Sequence, residues 1–170
     1  LSGRINARLS ALDIEDVRAL AVAGALSMAG YAVVAIDHTL HGDRGFSVEV
    51  PTDTGTRTVV INASTNNATD YMNLSNLLVT RDNLRQSIAD MLALRFALNT
   101  ISGVTVDLSR VQFLGHSLGG ITGASMVAVA NAPSGNAMLD AAFKVETAVL
   151  AMPGGAVANF LLDSPSFGPL

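Results

Sequence analysis

Apolar positions follow two rhythms along this chain. Between 74 and 98 they keep helical spacing. Leu74, Leu77, Leu78, Leu84, Ile88, Met91, Leu92 and Leu98 lie on one stripe, and Arg95 falls on it too. Arg81, Asp82, Arg85 and Asp90 lie largely on the other face, so the spacing predicts a helix over about 73–100 that Gly103 stops. Elsewhere apolar residues come in short β-rich runs without alternation, at 31–36, 111–114 and 145–152. Such runs read as strands covered on both faces. Asp13 reads as a helix N-cap, with Glu15 and Asp16 in the first turn and Gly30 as the stop. Small residues at 121–130 predict a second helix, and 156–162 a short apolar one. The β-type runs 46–50 and 58–61 flank Pro51, Asp53 and Gly55 and predict a hairpin excursion around 46–62. A weak alternation of Ile5, Ala7 and Leu9 is compatible with strand or loop.

The resulting order is helix, strand, excursion, helix, strand, helix, strand, helix. It predicts an α/β fold with a mostly parallel, doubly wound sheet and flanking helices. No linker interrupts it, so 1–170 reads as one domain.

Composition narrows the picture. Of the 170 residues 49 % are hydrophobic and 14 % charged, a composition more like the interior of a larger domain than a complete small one. The net charge of −4 and the lack of a basic patch argue against nucleic acid as a partner. Cysteine is absent, which excludes disulfide and thiolate chemistry. The uncharged stretches 19–36 and 111–139 are broken by glycines, and no transmembrane segment is expected. The glycines at 115, 119, 120 and 123 match neither a dinucleotide fingerprint nor a phosphate-binding loop.

The candidate chemistry lies at Gly115-His116-Ser117-Leu118-Gly119, between a predicted strand and a predicted helix. This is the context of a G-x-S-x-G nucleophile elbow. The Ser sits on a sharp turn, with Gly115 and Gly119 expected where larger side chains would collide. The backbone N–H of Leu118 is the expected oxyanion donor, at the positive end of the helix. A Ser hydroxyl needs a His base and an acid that orients it. The histidines are His38, His41 and His116, none after the Ser; the acids after it are Asp140, Glu146 and Asp163. His116 reads as a residue that shapes the turn. His38 and His41 follow the 31–36 run, at the expected reactive edge, and are candidates for lining a pocket together with His116. Asp37 reads as fixing its own loop through backbone N–H groups. No metal site and no cofactor are called for.

The segments GHSLGG, DLSRVQFLGHSLGG and YAVVAIDHTLHGDRGF resemble the α/β-hydrolase superfamily. With RDNLRQSIADMLALRFAL and the tail MPGG to LLDSPSFGPL, they resemble more narrowly a group of large bacterial extracellular or surface-anchored lipases and phospholipases, from about residue 19 onward. The resemblance implies a serine carboxylic-ester hydrolase that forms an acyl-enzyme on Ser117. It implies a small-molecule or lipid ester substrate, contact with a lipid surface, and an extracellular or cell-surface location. It also implies that the chain is an internal piece of the domain. A strand between 31–36 and the elbow strand, and a second oxyanion donor, would lie upstream of or near Leu1. The triad acid and His would lie beyond Leu170, and 156–170 would begin a lid. The 170 residues alone are then expected to be inactive. The alternatives are a hydrolase-like binding or structural domain and, among enzymes, an acyltransferase or thioesterase.

Overall fold

Four helices or helical turns begin at an Asn or Asp side chain (Asn67, Asn76, Asp107 and Asn136), because each accepts backbone N–H groups that a helical turn leaves unpaired. The computed structural model describes residues 22–103, 105–155, 159, 163 and 165. The chain divides into two compact units, 1–73 and 74–170.

In the first unit, residues 22–28 are helical. Gly30, at φ +92°, ends that helix. The Tyr31 N–H donates to Leu26 O at 3.0 Å and the Gly30 N–H to Ser27 O at 3.1 Å, the paired closure of a Schellman motif. Strands β1 (Phe46–Thr52) and β2 (Gly55–Ile61) form the expected antiparallel hairpin, in register from Phe46↔Ile61 to Thr52↔Gly55. Alternation puts Phe46, Val48, Val50, Val59 and Ile61 on one face. The loops beside the hairpin are held by Asn62. Its N–H donates to Asp70 Oδ2 at 2.9 Å and its Nδ2 to Gly42 O at 2.9 Å, while its Oδ1 accepts from Ser64 and Thr65.

Among the described residues, the second unit holds three α-helices and two strands. Helix α1 (Leu77–Ala97) starts at Asn76, whose side chain accepts from the N–H groups of Leu78 and Val79. A 3-10 turn, Leu98–Thr100, extends it toward Gly103. A second such turn, Leu108–Arg110, is capped by Asp107 and leads into β3 (Gln112–His116). Helix α2 (Leu118–Ala130) comes next, then α3 (Ala137–Phe143) and β4 (Thr147–Ala151). Strands β3 and β4 are parallel, in register from Gln112↔Thr147 to His116↔Ala151. Helix α2 packs on both strands and α1 packs on α2. Met91, Met126, Ala130 and Val145 form the buried core, with Ile88, Leu92, Phe113, Val127 and Phe143 around it.

Glycine makes this layering tight. A Cβ on Gly123 would overlap the Phe113 ring, and one on Gly120 would lie 3.2 Å from Ala151 O and 3.3 Å from Pro153. The small residues of α2 thus let the helix lie directly on the strands. Arg95 ties the other end of the unit together. It is 4 % exposed, on the buried side of α1 as the spacing predicts. Its guanidinium donates to Lys144 O at 2.9 Å, Ala141 O at 3.4 Å and Asn99 Oδ1 at 3.4 Å. Burial lowers its pKa, yet an arginine stays charged.

The structure is therefore mixed α/β, with one antiparallel and one parallel strand pair among the described residues. Two sequence expectations need correction. Residues 31–36 hold no regular secondary structure and join no ladder among the described residues, and Tyr31, Val33, Val34 and Ile36 are exposed. A strand requires a neighbour for its backbone groups, and none of the described segments supplies one. Helix α3 was not expected, because seven residues are too few to display a helical period. Its signal is local: Asn136 accepts from Met138 and Leu139, and Asp140 lies in the first turn. The Asp13 helix start, the alternation at 5–9 and most of the 156–170 lid segment lie outside the described residues.

Two of these contacts can be tested through stability. Arg95→Ala leaves two inward-facing carbonyls without their donor and is expected to cost about 2–3 kcal/mol in urea unfolding; Arg95→Lys recovers less than half of this. Ser134 donates to Asp140 through both Oγ (2.6 Å) and N–H (2.9 Å), which holds the Asp140 carboxyl below its usual range. A lowered folded pKa adds stability above the unfolded pKa and loses it as pH falls through the folded value. Asp140→Asn is thus expected to melt below the native chain at neutral pH, the gap closing as pH falls below 3.8.

Candidate active site

The elbow forms where β3 meets α2. A Cβ added to Gly115 would overlap Gly119 O, lie 2.6 Å from Gly119 C, and lie 2.8 Å from the Phe113 ring. Gly115 is required because the backbone of the next helical turn occupies the space of its side chain. The expectation for Gly119 is corrected: a Cβ there meets nothing within 4 Å. At Gly119 the main chain, not the missing side chain, makes the close contact.

Between the two glycines, Ser117 takes φ +51° and ψ −115°. This left-handed region costs a non-glycine residue about 1–3 kcal/mol. Three contacts hold it. The Ser117 N–H donates to Ala151 O at 2.9 Å, and the Ser117 carbonyl accepts from Gly120 at 2.9 Å and Ile121 at 3.0 Å. Ser117 occupies the N-cap position of α2, where a Ser hydroxyl ordinarily accepts a helix N–H. Here the side chain makes no capping bond, whereas Asn67, Asn76, Asp107 and Asn136 all cap their helices or turns. The strained backbone turns the hydroxyl away from the cap, and the residue is exposed. The Leu118 N–H is the first of α2, and helix geometry gives it no intrahelical acceptor. A free donor, the positive helix end and an uncommitted hydroxyl therefore meet at one edge of the sheet.

The acids after the Ser lie elsewhere. Glu146 pairs with Lys144 at 2.7 Å, and its N–H donates to Val111 O, at the start of β3. At about 3.3 Å per residue, that row is roughly 20 Å along the strands from Ser117. Asp140 is engaged by Ser134, beyond the C-terminal end of α2. Neither is placed to orient a base at Ser117. Asp163 donates its N–H to Asn159 O. His116 is exposed, on the strand face opposite Gly115.

His38 and His41 belong to the first unit. Their rings gather around Tyr71, which is 1 % exposed, with centroids at 6.2 and 4.9 Å. His41 Nδ1 lies 2.9 Å from Thr39 O, so that nitrogen carries the proton. Asp37 holds its loop as expected. Its Oδ2 accepts from the Asp43 N–H at 3.2 Å, and its carbonyl accepts from Arg44 at 3.0 Å.

One neighbour of the Ser was not singled out by the sequence. Met152, the residue after β4, takes φ +50°. The signal was the MPGG string at the end of a strand parallel to β3. Parallel strands end on one edge, so the turn leaving β4 lies beside the turn leaving β3.

The two elbow glycines separate in a mutational test. Gly115→Ala is expected to destabilise the protein by about 1–3 kcal/mol, through overlap with the backbone at Gly119. Gly119→Ala, inside α2 with open space, is expected to be neutral or stabilising by up to about 1 kcal/mol. Chemical denaturation of both variants checks this. No protein-family model, no curated protein and no solved structure matches the chain.

Proposed function

We propose that the chain is part of a serine carboxylic-ester hydrolase of the α/β-hydrolase type, with Ser117 as the nucleophile. One observation carries this reading. Ser117 holds a strained backbone conformation at a strand–helix turn, and its hydroxyl is withheld from the N-cap it would ordinarily serve. Strain of this kind is maintained where a side chain must be presented rather than packed.

This reading implies acyl-enzyme chemistry. The Ser117 Oγ attacks an ester carbonyl carbon as its proton passes to a base. The carbonyl oxygen takes up the negative charge, which in this reading the Leu118 N–H and the N-terminal end of α2 stabilise. The tetrahedral adduct collapses, the C–O bond to the alcohol breaks, and the alcohol leaves with the proton. Water then repeats the attack on the acyl-Ser117 ester and releases the carboxylic acid. The net reaction adds water across one ester bond. The resemblance to lipases implies a His base and an acid that orients it, and no His follows Ser117 in the sequence. The low charge of the chain suits a lipid-like ester, as in a lipase or phospholipase.

The same reading makes β3 and β4 part of a wider, doubly wound parallel sheet. Leu114 is 47 % and Val149 55 % exposed on the face away from α2. Parallel sheets are covered on both faces, so further elements belong there.

A hydrolase-like binding domain without catalysis is the second reading, and one observation favours it. His116 is the only histidine in the second unit, and its strand position directs it away from the α2 face. A fluorophosphonate probe decides between the two. It is expected to label the full-length protein at Ser117, and Ser117→Ala is expected to abolish labelling and lower ester hydrolysis by about 10³-fold or more. Hydrolysis that is equal in the two proteins removes Ser117 from the mechanism. A folded native protein that neither labels nor hydrolyses esters is a binding domain.

A further inference from the structure

We infer that Met152 is a specificity-determining residue of the Ser117 site, where it contacts the aliphatic chain of an ester substrate. The inference rests on the reading of Ser117 as a nucleophile and adds to it the apolar wall beside that nucleophile.

The placement comes from the strand register. His116↔Ala151 is the last pair of the parallel β3–β4 ladder. Ser117 and Met152 are the next residues on the two strands, so they stand side by side at the edge where α2 begins. Both leave their strands at positive φ, +51° and +50°. Leu40, in the first unit, is the only other described non-glycine residue in that region. Two of the three outliers thus adjoin one point of the sheet.

The turn that carries Met152 is fixed relative to the nucleophile. Ala151 O, immediately before it, accepts the Ser117 N–H at 2.9 Å. Pro153, immediately after it, lies against Gly120 in the first turn of α2, where an added Cβ would come within 3.3 Å. Gly154 faces Ile121 in the same way, at 3.4 Å. Met152 itself contributes nothing to this packing, because it is 78 % exposed. A long, unbranched thioether side chain is therefore held in a costly backbone conformation, and it fills no core. A glycine would make the same turn without strain, and two glycines stand close by at 154 and 155. What the methionine adds is a flexible apolar surface next to the reacting atom. Methionine adapts to apolar chains of varied shape.

The chain it meets can belong to the acyl part or to the alcohol part of the ester, and two substrate series separate these. In the full-length protein, kcat/KM is measured for 4-nitrophenyl octanoate against acetate, and for octyl acetate against ethyl acetate. Met152→Asp is expected to lower the long-to-short ratio about tenfold in one series, and Met152→Leu to restore it. The series that responds tells which chain lies on Met152. Ratios unchanged in both series overturn the inference while leaving Ser117 as the nucleophile. If Met152→Asp fails to fold, Met152→Gln puts the same question to the same two ratios. Failure of the native protein to label with the fluorophosphonate at Ser117 defeats the underlying reading instead, and this result is seen before any Met152 variant is made.

Discussion

The approach of β3 to the first turn of α2 governs the second unit. The Gly119 carbonyl occupies the space that a side chain at Gly115 would need, so strand and helix meet with no slack between them. A chain that turns this sharply cannot keep an ordinary backbone at the residue between, and Ser117 absorbs the difference. The same closeness continues along α2. Gly120 lies under the turn after β4 and Gly123 makes a notch for the Phe113 ring. Core packing and the presentation of the Ser hydroxyl are therefore parts of one arrangement. Loosening the helix from the strands would relax the backbone at Ser117 as well as the core.

The two ends of the parallel pair differ in chemistry. At the N-terminal end are the Lys144–Glu146 ion pair and the bonds that Arg95 makes behind Phe143. At the other end stand Ser117, Leu118, Ala151 and Met152, without a charged side chain among them. The N-terminal dipole of α2 supplies the electrostatics there. Its partial charge belongs to the backbone, so it needs neither a counter-ion nor a titrating group.

Much of this was legible in the sequence, for reasons that differ by element. The elbow could be read because its steric demand has a letter, glycine, in a fixed place. The reason assigned to Gly119 was nevertheless wrong, since sequence cannot tell which of two close atoms is backbone. The hairpin at 46–61 and the stop at Gly30 could be read because turn chemistry is local. The long helix could be read from its period, including the buried place of Arg95. Residues 31–36 could not, because pairing is a relation between distant segments and composition records only one of them. Helix α3 was too short for its period to show. Met152 escaped because strain belongs to the conformation and has no letter of its own.

Arg95 carries one more consequence. Its guanidinium reaches the carbonyls of Ala141 and Lys144 at one place along α1 only. Apolar contact has no direction and by itself would tolerate a slide of one turn, about 5.4 Å. The cation would not, because after such a slide it would be buried without acceptors. The residue thus works as an indexing pin: the oily contacts bring α1 onto the unit, and one charge fixes the notch in which it stops.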